Sequence, residues 1–266
     1  MHLQLDYNGG HVNVVQLTDT HLGASQDATL AGVTTVHSLQ CVLDTVTEGG
    51  TPDLLLVTGD LSDDGSAASY ERLKDMLAPV GAVSAWLPGN HDDVAQMRAV
   101  APELMVQTIA VGPWGIILLN SQVPGEVGGA LADDELQRLA RFVRDPAYQH
   151  IVVCVHHQPV PINSRWLDKQ RIANGRQLFH LLDQRRVKAV VWGHVHQAFD
   201  GRHGDVRLLA TPSTCVQFAP GSERFKVDRL GPGYRRLVLA ENGELSTEVG
   251  RLEVARFSVD YGCMGY

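Results

Sequence analysis

Residues 12–22 read Val12-Asn13-Val14-Val15-Gln16-Leu17-Thr18-Asp19-Thr20-His21-Leu22: an apolar, valine-rich run that breaks into Asp-x-His. Such a run is strand material. A carboxylate and an imidazole two residues apart at its end can face the same side. The layout recurs four times. Leu54–Thr58 is followed by Gly59-Asp60, and Val83–Leu87 by Pro88-Gly89-Asn90-His91-Asp92. Ile151–Val155 is followed by His156-His157, and Ala189–Trp192 by Gly193-His194-Val195-His196. Amphipathic stretches near Thr34–Glu48, Ser66–Ala78, Asp133–Arg144 and Gly175–Arg185 alternate with these runs, the pattern of a layered α/β fold. Asp133, Asp134 and Glu135 crowd the first turn of the third stretch, where carboxylates suit the helix dipole. Leu136, Leu139, Ala140 and Val143 line one of its faces. Further strands are expected over Gly115–Asn120, Val206–Ala210, Tyr234–Ala240 and Leu245–Leu252, the last two joined by a hairpin at Asn242-Gly243. The chain is expected to form one domain over 1–266. Its core spans about 12–200, and strands over about 206–252 complete the second sheet.

The 266 residues are 44% hydrophobic and 20% charged, which excludes a disordered chain. No apolar run approaches the roughly 18 residues of a membrane-spanning helix. The N-terminus shows no basic stretch leading into an apolar one, so a soluble cytoplasmic protein with no membrane partner is expected. The net charge of −8 argues against a nucleic-acid partner. Cys41, Cys154, Cys215 and Cys263 form no CxxC pair and read as reduced thiols.

In an α/β sheet the carboxyl ends of the strands form the binding crevice. The five polar segments above are therefore expected to converge. They offer carboxylates, imidazoles and one amide, with no thiolate among them. That donor set suits Mn, Fe, Zn or Ni more than a structural zinc. Asp19, His21, Asp60, Asn90, His156, His194 and His196 are too many for one tetrahedral site and fit two divalent ions sharing a bridging carboxylate. Glycines at 59, 89 and 193 permit the tight turns that aim the ligands inward. Each piece alone is weak: Gly-Asp is common in turns, and a single histidine is more often a packing or surface residue. The ordered set of five makes a purely structural reading improbable.

That ordered set, Asp-x-His, Gly-Asp, Gly-Asn-His-Asp, His-His and Gly-His-x-His, resembles the calcineurin-like metallophosphoesterase family over residues 19–196. The resemblance implies a four-layer α/β sandwich, two mixed β-sheets flanked by helices. It implies that Asp19, His21, Asp60 and His196 hold one metal. Asp60, Asn90, His156 and His194 hold the other, with Asp60 bridging. His91 corresponds to the family's non-ligand histidine near the leaving group. The stretches at 18–22, 86–92 and Leu208–Phe218 further resemble the class III cyclic nucleotide phosphodiesterases, bacterial 3′,5′-cyclic-AMP phosphodiesterases in particular. The segments Trp166-Leu167-Asp168 and Pro232–Leu252 are similar as well. One departure is Gln158, where a third histidine is expected before Pro159, and it leaves the choice between His156 and His157 open.

The reaction so implied is hydrolysis of cyclic AMP to 5′-AMP by in-line attack of a metal-bridging hydroxide. His91 is the catalytic general acid to the 3′-oxygen. His21, Asp60, Asn90, His91 and His196 surround the phosphate. Asn rather than Asp at position 90 keeps the centre cationic toward a phosphodiester. Fe and/or Mn are the first expectation for the cofactors, Zn or Co the next. The alternative is a broader phosphodiesterase acting on 2′,3′-cyclic nucleotides or glycerophosphodiesters. A non-catalytic scaffold is the rival of another class, disfavoured because every ligand is present. Relatives imply a homodimer. Among weaker signals, Asp63 and Asp64 read as a turn or as carboxylates orienting a ligand, and Asp92 and Asp93 as helix caps. Trp166 reads either as a base-stacking residue or as a loop aromatic over the core, and 223–230 as a solvated charged stretch.

Overall fold

The computed structural model describes residues 1–265. The N-terminal half carries β1 (His2–Gln4), β2 (His11–Leu17), β3 (Thr29–Leu30), β4 (Val33–Thr34), α1 (Thr35–Glu48), β5 (Leu54–Thr58), α2 (Ala67–Leu77), β6 (Val83–Leu87) and α3 (Val94–Val100). The middle of the chain adds β7 (Thr108–Val111), β8 (Trp114–Leu118), α4 (Asp133–Phe142), β9 (His150–Cys154) and α5 (Gly175–Leu181). The remainder gives β10 (Val187–Trp192), β11 (Phe199–His203), β12 (Val206–Ala210), β13 (Gly233–Ala240) and β14 (Leu245–Arg251).

Among the described residues the two large sheets are a seven-stranded one, β1-β7-β8-β9-β10-β12-β11, and a five-stranded one, β14-β13-β2-β5-β6. Both are mixed. In the second, β2, β5 and β6 run parallel, and β13 pairs antiparallel with β2. In the first, β8, β9, β10 and β12 run parallel. Side chains alternate across each strand. Leu54 and Leu56 of β5 enter the core between the sheets, with Val12, Val14, Val152, Cys154 and Val191. Leu55 and Val57 face α1 and α2 on the outside, against Leu39, Val42, Tyr70 and Leu73. On the far side, Ile117, Val153 and Val190 pack against Leu139 and Phe142 of α4 and Leu178 of α5. The order is helices, sheet, sheet, helices: the four-layer α/β sandwich that the resemblance implies. Burial on both faces explains why the central strands are unbroken apolar runs.

One expectation changes, whereas the expected hairpin at Asn242-Gly243 forms between β13 and β14. The strands over about 206–252 do not all complete one sheet: β12 pairs with β10, whereas β13 and β14 join β2. Polar loop 211–232 carries the chain from one layer to the other. At the 241–244 turn only Gly243 takes a positive φ, 86°. Asn242 instead accepts the Glu244 N–H at 3.0 Å through its side chain. No helix among the described residues is long and apolar enough to cross a membrane.

Candidate metal centre

Because the strands run parallel, the carboxyl ends of β2, β5, β6, β9 and β10 open on one crevice. The loops there are knitted by main-chain bonds. Asp19 N donates to Gly59 O (2.9 Å), His21 N to Asp60 O (3.0 Å) and Gly193 N to His156 O (3.1 Å). Asp19, His21, Asp60, His194 and His196 all have φ between 46° and 64°. Left-handed backbone costs a non-glycine residue roughly 1–2 kcal/mol, and such strain gathers at functional sites. Of the glycines expected to make tight turns, Gly59 does so by its φ of 98°. A Cβ on it would also lie 2.1 Å from His156 Nδ1. Gly89 serves instead by closeness, since a Cβ there would meet Asp60 Oδ1 at 2.2 Å.

The sequence-predicted ligands come together in two overlapping groups. Asp19, His21 and His196 form one, with ligand atoms within 4.8 Å of one another, and Asp19, Asp60 and His156 form the other. Asp60 Oδ2 lies 3.2 Å from His156 Nε2 and 3.9 Å from His21 Nε2, so it stands between them. Asn90 Oδ1 is 3.2 Å from His156 Nε2. His194 N donates to both Asp19 oxygens, at 3.0 and 3.1 Å.

The donor chemistry fits cations. His196 Nδ1 lies 2.8 Å from Val216 O, and His21 Nδ1 3.1 Å from Asp63 Oδ1. A carbonyl or carboxylate only accepts, so each Nδ1 carries the proton. Each Nε2 is then a lone pair in the neutral ring, yet the two lie 3.2 Å apart. His156 Nδ1 donates to Thr58 O at 2.8 Å, and its Nε2 faces the Asp60 carboxylate and Asn90 Oδ1, a position that a proton or a cation can fill. His194 Nε2 is buried with no hydrogen-bond partner among the described residues. Opposed acceptors with backbone-fixed tautomers are the usual surroundings of metal-bound imidazoles.

Geometry distinguishes the adjacent histidines, which together with His194 form a third group of ligand-type atoms. Both ring nitrogens of His157 face other partners, Ser121 Oγ at 2.8 Å and Val127 O at 3.1 Å. His156 is the one aimed at Asp60 and Asn90. Electrostatics separates them further. Burial opposes charge on His156, but the Asp60 and Asp19 carboxylates outweigh it and raise its pKa to about 9. Burial and the neighbouring His156 push His157 down to about 3. Although burial opposes it, the histidines His156, His91 and His21 hold Asp60 well below the usual carboxylate range. His194 is held neutral by burial and by His157 and His156.

His91 sits on the rim. Its N–H donates to Asp60 Oδ1 at 2.9 Å, and its Nδ1 lies 3.7 Å from Asp63 Oδ1. Asp63 thus touches both His21 and His91, which favours its orienting role over the turn reading. Asp93 caps α3, accepting from Ala95 N and Gln96 N. Asp92 does not cap. It is buried and accepts from Leu61 N, Ser62 N, Gly89 N and the Tyr70 hydroxyl, fastening the end of β5 to the end of β6. Burial and the charge of Asp60 raise its pKa to about 6, against the pull of those N–H groups. Sequence reasoning missed this clamp, and the adjacent Asn-His motif was its only signal. The 211–218 segment has a comparable task. Ser213 Oγ donates to Asp19 O at 2.8 Å, Val216 O fixes His196, and Phe218 stacks on the His196 ring at 4.0 Å.

A model of the calcineurin-like phosphoesterase family matches residues 12–198. The chain is 45% identical over 259 residues to a 3′,5′-cyclic adenosine monophosphate phosphodiesterase, CpdA, of Pseudomonas aeruginosa, covering 96% of this chain and 95% of that protein. It is 39% identical to the CpdA of Vibrio vulnificus, over the same shares of each. A 3′,5′-cyclic-nucleotide phosphodiesterase of Nostoc sp. is 37% identical, covering 91% of this chain and 92% of that one. Among solved structures, a dimetal phosphatase from Danio rerio superposes with a TM-score of 0.63 at 11% identity, covering 91% of this chain and 97% of that one. A purple acid phosphatase from yellow lupin gives 0.63 at 12% identity, covering 95% and 53%. At such identities the two structures speak for the fold alone.

Proposed function

The chain belongs to the calcineurin-like phosphoesterase family, and from that premise we propose that it hydrolyses 3′,5′-cyclic AMP to 5′-AMP at a dinuclear metal centre. The observation that carries the reading is the pair of ligand clusters that share Asp19, in which the Nε2 lone pairs of His21 and His196 confront each other and Asp60 Oδ2 reaches toward both His156 and His21. The substrate is supported by relatives named for cyclic AMP that match nearly their whole length.

Asp19, His21, Asp60 and His196 would hold one cation, and Asp60, Asn90, His156 and His194 the other. Nitrogen and oxygen donors without thiolate favour Fe or Mn, with Zn or Co next. When bound, two such ions supply Lewis acidity that activates water near neutral pH and stabilises charge on the phosphoryl oxygens. The chain's own side chains do the rest. Asn90 turns Oδ1 toward His156, leaving its Nδ2 to donate to a phosphoryl oxygen. His21, Asp60 and His196 border the same phosphate position. His91, oriented by Asp63 at its Nδ1, delivers a proton from Nε2 to the departing 3′-oxygen. We also read 1–266 as one domain, supported by the pairing of C-terminal β13 with N-terminal β2. Four free cysteines, three of them buried, support a cytoplasmic setting.

The test is a comparison of kcat/KM for 3′,5′-cyclic AMP, 2′,3′-cyclic AMP and bis-p-nitrophenyl phosphate on metal-reconstituted protein. The first should lead. A higher value for either of the others overturns the substrate assignment in favour of a broad phosphodiesterase.

A further inference from the structure

Beside the metal ligands lies a cleft of about 240 Å³, lined on one hand by Asp60, Asn90, His91 and His194. Its other lining includes Trp166, Gln170, Phe218 and Phe225, together with Val127 and Gly265. None of these aromatic residues is a metal ligand. Phe218 is buried and stacks on His196, so the aromatic wall begins directly at the metal site. Trp166 and Phe225 are half-buried and pack edge-on to Phe218, with ring centres at 5.3 and 5.2 Å. The wall is built, not incidental. A short ladder, Phe218 with Val227 and Ala219 N to Lys226 O, makes a hairpin out of the stretch that its charges mark as solvated. Trp166 Nε1 donates to Ser222 Oγ at 3.0 Å, and Arg165 N to Ser222 O at 3.1 Å, latching the 164–170 loop onto that hairpin. Gln158 Nε2 donates to Leu167 O at 2.6 Å. The residue that departs from the expected histidine therefore ties the His156 strand end to the same loop.

Resting on the phosphodiesterase reading above, we propose that Trp166 and Phe225, backed by Phe218, form the binding wall for a purine base, and that the Gln170 carboxamide reads adenine in preference to guanine. Aromatic faces stack on any base. A carboxamide offers one donor and one acceptor side by side, which match the N7 acceptor and N6 donor of adenine. Guanine presents two acceptors on that edge, N7 and O6, and can use only the donor. The exposed Val127 adds apolar lining to the cleft that receives the ring. The wall acts on affinity for the nucleoside, whereas the metal centre acts on the phosphate common to all such esters.

The test compares 3′,5′-cyclic AMP, 3′,5′-cyclic GMP and the base-free 3′,5′-cyclic ribose phosphate, the last followed by phosphorus NMR, on metal-loaded wild type, Phe225→Ala and Gln170→Ala. In Phe225→Ala the ratio of kcat/KM for cyclic AMP to that for the base-free ester should fall by about 5- to 150-fold, mainly through KM. In Gln170→Ala, which leaves the wall standing, the preference for cyclic AMP over cyclic GMP should drop toward one. Equal proportional losses on all three esters, or unaltered ratios, would overturn the proposal while leaving phosphodiesterase activity in place. Wild type that cleaves none of the three would instead sink the phosphodiesterase reading, and the base wall with it.

Discussion

Asp60 Oδ2 lies 3.2 Å from His156 Nε2 and 3.9 Å from His21 Nε2, so one carboxylate is near a histidine of each cluster. Asp60→Ala should therefore lose both metals, measured as metal per chain by plasma emission after dialysis. A variant that keeps two ions refutes the bridging role. His91 reaches the centre through its main-chain N–H, its contact with Asp63 and the edge of the His21 ring. His91→Ala should keep the full metal count while kcat on cyclic AMP drops roughly 10²–10⁴-fold. Unchanged turnover would remove it from proton transfer. The family resemblance carried by the ordered motifs of the sequence implies both roles. The pairing of Asp63 with His21 and His91 is not legible there, since an Asp one turn past a Gly-Asp motif is equally at home as a turn residue.

Among elements, the site depends on loops that join strand ends, and Asp92 ties two of them through four hydrogen bonds. Removing its carboxylate leaves the N–H groups of Leu61, Ser62 and Gly89 without their acceptor. Each buried unsatisfied group costs about 1–3 kcal/mol, though water entering the gap relieves part of this. Asp92→Ala should lower the melting temperature by roughly 4–8 °C, with weaker metal retention than in Asp93→Ala, which loses only a helix cap. Equal effects in a calorimeter would mean that Asp92 is merely a second cap. The central strands, α1, α2, α4 and α5 were readable from the sequence because their apolar periods are strong. The short edge strands β1 and β11, the four-residue β7 between β1 and β8, and the seven-residue α3 were not. Their few residues carry too little periodicity, and pairing with neighbours decides their state.

For the molecule as a whole, buried imidazoles make stability depend on pH. Burial and His156 lower the pKa of His157 to about 3, from an ordinary value of 6.5. The unfolded chain takes up that proton near pH 6.5 and the folded one only near 3. The contribution is thus complete above pH 6.5 and drains as pH falls toward 3, by at most about 1.4 kcal/mol per pH unit. In chelated protein, the urea midpoint should fall more steeply from pH 7 to 5.5 in wild type than in His157→Asn. Parallel slopes would assign the acid sensitivity elsewhere. Adding Mn²⁺ to chelated wild type should raise the melting temperature in a concentration-dependent way, since a cation bound only by the folded chain stabilises it by mass action. A melting point indifferent to metal would contradict the acceptor geometry of the strand ends.

The order of residues along the chain carries the alternation of strands and helices, the seven polar side chains at strand ends, and the likeness to a family, because periodicity and ordered residue types are local properties. It could not distribute the C-terminal strands between two sheets or choose between His156 and His157. It could not show that Asp92 clamps two strand ends, or that Phe225 and Trp166 line one cleft with Asp60, Asn90 and His194. Those facts depend on which distant segments become neighbours, and adjacency across a parallel sheet is set by packing of both faces rather than by any pattern along the chain.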